Sequence, residues 1–258
     1  DITERKRIEE QAIRTEKLSA TGEMAAVIAH EIRNSLTSQK LILQFLNESQ
    51  NIKSKEKDSV NVAIASVLEM EDVVTRLLNF ARPNPMKFFK MDLNQIVDES
   101  ITFVKHQFDN RKIKLEVNKE NSLPLISVDP EHLRAAFVNI LINAHDATNE
   151  NGKIRITTEF KKMSETISDY LAEQQTVVSL RKNQKVISIS FEDNGSGISK
   201  KNINLIFDPF FTTKTNGTGL GLPMAKRVFL EHGGLIIVKS HVDKGTIFSV
   251  FLPYGGRA

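Results

Sequence analysis

The chain has 258 residues, 40% hydrophobic and 26% charged, with 35 Lys and Arg against 32 Asp and Glu and a net charge of +3. That is a folded-protein composition, long enough for one large domain or two ordinary ones, and the mixed charge leaves no electrostatic footprint for nucleic acid. With no cysteine, a disulfide framework, a thiol nucleophile and a cysteine metal site are excluded, and no apolar run approaches the roughly 18 residues of a membrane span.

Residues 1–20 are dense in charge, with acidic and basic residues three and four apart, which supports an exposed helix. The sparse apolar positions Ile8, Ala12, Ile13 and Leu18 suit a narrow coiled-coil seam. From Leu18 to about Asn47 the pattern stays helical. Met24, Ile28 and Ile32 recur every four residues and make one apolar stripe. His30 lies two residues from both Ile28 and Ile32, about 200° around the helix from each, so it is expected to face outward while the stripe is buried.

Residues 48–57 are polar and predict a connection. A second helix is expected from about Asp58 to Arg82, with Val60, Ala63, Ile64, Val67, Met70, Val73, Val74, Leu77 and Leu78 as apolar positions, stopped by Pro83 and Pro85. Two long helices with a short polar connection make an antiparallel hairpin. Such a hairpin cannot enclose a core alone, and a homodimeric four-helix bundle is the simplest way to bury both faces.

Beyond residues 83–90 the pattern changes. Asp92-Leu93-Asn94 caps a helix running to about Asp109. Lys112–Asn118 and Leu125–Val128 read as strands, and Asp129-Pro130-Glu131 opens a helix through Asn149 with Pro at its first position. Lys153–Phe160 and Lys185–Glu192 read as strands. The polar segment 161–184 lies between them, where Ile167, Tyr170 and Leu171 suggest a short helix. Leu220–His232 reads as a helix stopped at Gly233-Gly234, followed by strands Gly234–Ser240 and Thr246–Leu252. Interleaved strands and helices predict a separate α/β domain with helices packed on a mixed sheet.

Three constellations carry chemistry in this second half. Asn139 and Asn143 stand four apart on one helix face, and their neutral hard oxygens suit Mg²⁺. Asp193-Asn194-Gly195-Ser196-Gly197 follows a strand; its glycines let the backbone approach a flat ligand, and its carboxylate offers an acceptor to an exocyclic amine. Phe207-Asp208-Pro209-Phe210-Phe211-Thr212-Thr213-Lys214 then leads into Gly217-Thr218-Gly219-Leu220-Gly221, which opens a helix whose free N–H groups suit phosphate. Each motif alone is weak evidence.

Their order and spacing resemble the N, G1, F and G2 boxes of the GHKL (Bergerat-fold) ATPases, and most closely the ATP-binding domain of sensor histidine kinases. His30-Glu31-Ile32-Arg33-Asn34 resembles the phosphoacceptor box of the same kinases. The resemblance covers residues 15–258. It implies a helical hairpin forming a dimeric four-helix bundle, followed by an α/β sandwich ATP-binding domain. The domains would be a coiled-coil linker at 1–17, a dimerisation and phosphotransfer hairpin at 18–83, a linker at 84–90 and the ATP-binding domain at 91–258. Asp1 to Arg5 resembles the end of a PAS sensor domain, so the chain is expected to be the cytoplasmic transmitter part of a longer protein.

By the same resemblance His30 is the phosphoacceptor and Glu31 the base that takes its proton. Asn143 ligates Mg²⁺, with Asn139 on the phosphate side. Asp193 reads the adenine amino group, and Gly195 and Gly197 shape the pocket. Lys214 and the turn Gly217, Thr218, Gly219, Leu220, Gly221 hold the phosphates of ATP, and residues 207–219 form a lid. Glu31 and Asn34 match a pair associated with phosphatase activity toward the phospho-aspartate of a response-regulator receiver domain, the expected partner. Ser35 departs from the family, which commonly has proline there; proline would kink the helix, and serine need not. ATP-driven conformational machines of the topoisomerase type share the ATP site but lack the preceding histidine hairpin.

Overall fold

The computed structural model describes residues 32–48, 54–81, 85–171, 176–214 and 217–255. His30, Glu31 and the charged stretch 1–17 lie outside the described residues. The chain divides into two compact units, Asp1–Pro85 and Met86–Ala258. Among the described residues no helix is long and apolar enough to cross a membrane.

Among the described residues the first unit is a pair of helices, α1 (residues 32–48) and α2 (Ser54–Ala81). They run antiparallel: an Arg33 guanidinium N–H donates to Thr75 Oγ1 at 3.3 Å, and Lys40 Nζ meets Glu71 Oε2 at 2.8 Å. Leu36, Val67 and Val74 form the buried seam, with Leu43, Leu77 and Leu78 beside it. Helix α1 runs unbroken through Ser35. Ile32, placed in a buried stripe by its spacing, is instead 40% exposed. Leu41, Ile42, Phe45, Val62, Leu68, Met70 and Val73 are also exposed, Phe45 at 76%. Helix α2 starts at Ser54, four residues before the expected Asp58. Lys55, Glu56 and Lys57 are charged, so they read as connection, yet Lys and Glu are good helix formers that need no buried face.

The second unit is a layer of helices on a five-stranded mixed sheet, beside two two-stranded sheets. Its elements are β1 (Phe89–Met91), α3 (Leu93–Asn110), β2 (Lys114–Lys119), β3 (Ile126–Val128), α4 (Pro130–Ala147), β4 (Lys153–Lys162), β5 (Ile167–Leu171), β6 (Thr176–Leu180), β7 (Lys185–Asp193), α5 (Gly221–Glu231), β8 (Leu235–His241) and β9 (Gly245–Pro253). The main sheet has the order β2-β4-β7-β9-β8; β2 and β4 are parallel and the other pairs antiparallel. In β7 the inward positions Ile187, Ile189, Phe191 and Asp193 alternate, as the two-residue period of a strand requires. Thr246, Phe248, Val250 and Leu252 do the same in β9, where Asp193 pairs with Thr246. Against these sit Leu133, Ala136, Phe137, Ile140, Leu141 and Ala144 of α4.

The short helix expected around Ile167, Tyr170 and Leu171 is not formed. Those residues belong to β5, which pairs antiparallel with β6. Their spacing of three and four mimics a helix, but Thr176-Val177-Val178-Ser179-Leu180 supplies a β-branched partner strand. Leu171, Val178 and Leu180 then bury against Met163, Val186, Leu230 and Leu235 in a small second core.

Helix α4 is fastened at its start. Asp129 Oδ1 accepts the His132 N–H at 3.0 Å, and Oδ2 accepts the Lys87 N–H at 2.6 Å. The Asp129 N–H donates to His232 Nε2 at 2.9 Å at the end of α5. His232 is therefore the tautomer with hydrogen on Nδ1, facing the Val228 carbonyl at 2.7 Å. Burial pushes the Asp129 carboxyl up, but the His132 and Lys87 N–H groups outweigh it and hold the group below its usual 3.8. Its contribution to stability is fully present above pH 3.8 and is lost as pH falls through the lower native value. Asp129→Ala is expected to cost about 1–3 kcal/mol in denaturant unfolding at pH 7, with the gap to wild type closing in acid. An unchanged midpoint contradicts this role.

Candidate functional site

Three parts of the one connection from β7 to α5 meet one face of helix α4 at positions four residues apart. At the first, a Cβ on Gly221 would stand 3.4 Å from Asn139 Oδ1, so the opening turn of α5 lies directly against Asn139. At the second, Lys214 Nζ donates to Asn143 Oδ1 at 2.8 Å. At the third, the Ser196 N–H donates to the Ala147 carbonyl at 3.0 Å. At 1.5 Å rise per residue, these contacts span about 12 Å along the helix. Asn139, Asn143, Lys214, the 193–197 turn and the 217–221 turn, far apart in sequence, thus share one side of the second unit.

Asp193 ends β7 at an inward position and is 4% exposed. Its Oδ1 accepts the Gly195 N–H at 2.9 Å and the Thr246 N–H at 3.3 Å. Burial raises its pKa, opposed by those two N–H groups and reinforced by the charge of Glu192. Asn194 fastens the same turn, its Oδ1 accepting the Lys153 N–H at 2.8 Å.

The glycines have a reason that spacing did not disclose. A Cβ on Gly195 would collide with the Ala147 carbonyl, so Gly195 sets how closely the turn approaches α4. Gly197 has φ of 67° and no room for a side chain beside the His241 carbonyl. Gly217 lies against Thr212. Gly219 lies against the backbone of Phe210, whose N–H donates to the Gly219 carbonyl at 3.1 Å. That bond closes the base of the segment carrying Lys214.

Helix α5 has Leu220 as its N-cap, with no side-chain capping bond. Thr218 Oγ1 stands 3.5 Å from the Leu220 N–H. The first-turn N–H groups and the positive helix end suit an anion, although Pro223 donates none. The Asn143 Nδ2 donates to the Asn139 carbonyl at 2.9 Å, which turns Oδ1 toward the ammonium of Lys214. Asp146 Oδ2 faces the same ammonium at 2.7 Å. The Asn143 amide oxygen is a neutral hard ligand of the kind that fits Mg²⁺. No group of three or more His, Asp or Glu among the described residues forms an all-protein metal site.

Asp146 and Thr246 are the site residues that motif reading missed. Asp146 sits outside every glycine or asparagine pattern, and Thr246 contributes only a backbone N–H, which no sequence reveals. Asn34 belongs to the first unit, exposed on α1.

Residues 128–256 match the family described as Histidine kinase-, DNA gyrase B-, and HSP90-like ATPase, and residues 20–85 match the His Kinase A (phospho-acceptor) domain. The signal transduction histidine-protein kinase AtoS of Escherichia coli (strain K12) is 34% identical over 253 residues, covering 98% of this chain and 38% of AtoS. Sporulation kinase E of Bacillus subtilis (strain 168) is 30% identical over 253 residues, covering 98% of this chain and 31% of that kinase. The chain thus spans well under half the length of these two relatives. Histidine kinase ThkA, solved in complex with response regulator protein TrrA, is similar at a TM-score of 0.60 and 26% identity, over 96% of this chain and 66% of that one. Full-length ShkA in complex with AMPPNP shares the fold at a TM-score of 0.71, with 20% identity over 92% of this chain and 46% of that one. The chain belongs to the histidine kinase-, DNA gyrase B- and HSP90-like ATPase family, as the transmitter portion of a two-component sensor histidine kinase.

Proposed function

We propose that the second unit binds ATP with Mg²⁺, and that the chain transfers the γ-phosphoryl group of ATP to His30 and from there to an aspartate of a response-regulator receiver domain. The observation that carries this reading is the approach of the connection from β7 to α5, at three points, to one face of α4, with Asp193 at one end and Asn139 against the helix α5 opening at the other. Asp193 Oδ1 is used within the protein, so its second oxygen is the acceptor for the adenine amino group. Lys214, Gly217, Thr218, Gly219, Leu220 and Gly221 hold the phosphates, Gly195 and Gly197 shape the adenine end, and residues 207–219 act as a lid. Asn143 holds Mg²⁺, which neutralises phosphate charge when bound.

The proposed domains are the linker 1–17, the phosphotransfer hairpin 18–83, the linker 84–90 and the ATP-binding domain 91–258, preceded by a sensor domain in the full protein. Glu31 takes the proton that His30 loses on phosphorylation. A free imidazole has a pKa near 6.5, so at pH 7 most of it is neutral and one ring nitrogen is nucleophilic. Catalysis then rests on positioning and charge neutralisation. The exposed apolar side chains of α1 and α2 support a homodimer, because a second hairpin would remove them from water. Glu31 and Asn34 support phosphatase action on the phosphorylated regulator, Asn34 positioning a water.

Incubation with γ-labelled ATP and Mg²⁺ is expected to label the chain in an acid-labile, base-stable form that His30→Gln abolishes. ATP hydrolysis without labelled protein sinks the kinase reading. Asn143→Ala is expected to abolish labelling too.

Asp193→Asn keeps an oxygen for the Gly195 and Thr246 N–H groups but turns an amide N–H₂ toward the adenine amine. ATP affinity is expected to fall about 10- to 100-fold in calorimetry, with the thermal midpoint nearly kept. Because the Asp193 carboxyl is raised above 3.8, affinity in wild type should begin to fall, on acidification, at a higher pH than an ordinary carboxylate gives. Unchanged affinity in the variant removes Asp193 from the adenine site. Asn34→Ala should keep autophosphorylation and weaken dephosphorylation of the regulator; equal loss of both assigns Asn34 a structural role instead.

A further inference from the structure

Asp146 belongs to none of the motifs, yet the segment leading out of the aromatic cluster closes upon it. Lys214 Nζ stands 2.7 Å from Asp146 Oδ2 and 2.8 Å from Asn143 Oδ1. The two acceptors are three residues apart on α4 and so lie on one face. The other carboxylate oxygen, Oδ1, is 3.0 Å from His145 Nδ1. The side chains of Lys214 and Asp146 are 41% and 35% exposed, so the pair is neither buried nor fully solvated. Burial raises the Asp146 carboxyl, but the Lys214 ammonium and the His145 ring outweigh that and leave it lowered.

An ammonium has three N–H donors. Asn143 and Asp146 take two and leave the third for an incoming oxygen. Asn143 and Asp146 differ in what else they do: the Asn143 oxygen is the proposed Mg²⁺ ligand, whereas Asp146 turns its other oxygen to His145 and leaves Oδ2 to Lys214. When a metal takes the Asn143 oxygen, Asp146 alone retains the lysine beside the phosphates. A lysine already held there needs less further ordering than one free in solvent.

We propose that Asp146 is a positioning residue of the nucleotide site, acting through Lys214: it docks the lysine on α4 before phosphate arrives. This rests on reading the site as ATP-binding. Asp146→Asn keeps the side-chain shape and removes the charge. In the full chain without nucleotide, acetylation of Lys214 by acetic anhydride, followed by mass spectrometry, is expected to be about two- to fivefold faster in this variant, the range for a partly exposed ion pair. Lys226, bridged to Asp169 at 2.7 Å, is expected to label at the wild-type rate and serves as the internal reference.

Affinity for ATP with Mg²⁺ is expected to fall by a similar factor and to recover in part in Asp146→Glu. In a Lys214→Gln background, Asp146→Asn should cause no further loss. An unchanged labelling rate, or an equal loss with and without Lys214, overturns the proposal. Tighter ATP binding in Asp146→Asn also overturns it, because the pair would then compete with nucleotide. A wild-type chain that binds no ATP refutes the reading of the site itself, and is told apart because labelling of Lys214 requires no nucleotide.

Discussion

The nucleotide-domain geometry depends on how helix α4 is held. One stripe, from Leu133 to Ala144, is driven into the core by the hydrophobic effect and fixes the rotation of the helix on the sheet. Once that rotation is fixed, Asn139, Asn143 and Ala147 must share a neighbouring face. The helix start is fixed independently by Asp129, which caps it, takes the Lys87 N–H and donates its own N–H to His232. Sheet packing sets which face is presented, and the Asp129 knot sets where along the sheet it lies.

The connection from β7 to α5 then needs only to come close to that face, and small residues let it. Gly195 meets the Ala147 carbonyl, and Gly219 meets Phe210, at distances no Cβ permits. The charged contacts are added on top: Lys214 spans to Asn143 and Asp146, and Asp193 is brought in by strand alternation. The glycines thus act by way of packing. Gly195 lets the connection from β7 to α5 settle on α4 and Gly219 lets it fold back on Phe210, and the polar groups are brought together as a result.

Much of this was legible in the residues because it is periodic or local. The α/β alternation, the cap at Asp129-Pro130 and the asparagine pair all follow from spacing, and the family resemblance ordered the motifs. The β5–β6 hairpin was not legible: Ile167, Tyr170 and Leu171 fit a helical spacing as well as a strand, and only the pairing with Thr176–Leu180 decides between them. Asp146 was hidden for a related reason, since its partner Lys214 lies 68 residues away and only the folded chain joins them. Ile32 reads as buried from its stripe and is exposed in the hairpin, where α2 covers Leu36.

The claim that one face of α4 organises nucleotide binding is tested most directly by NMR of the full chain during titration with a non-hydrolysable ATP analogue and Mg²⁺. The account predicts that the side-chain amides of Asn139 and Asn143 shift together with the backbone amides of Gly195, Thr246 and Gly221, with one common dissociation constant. Shifts confined to the β5–β6 hairpin or to helix α3, with the Asn139 and Asn143 amides unmoved at saturation, would contradict it.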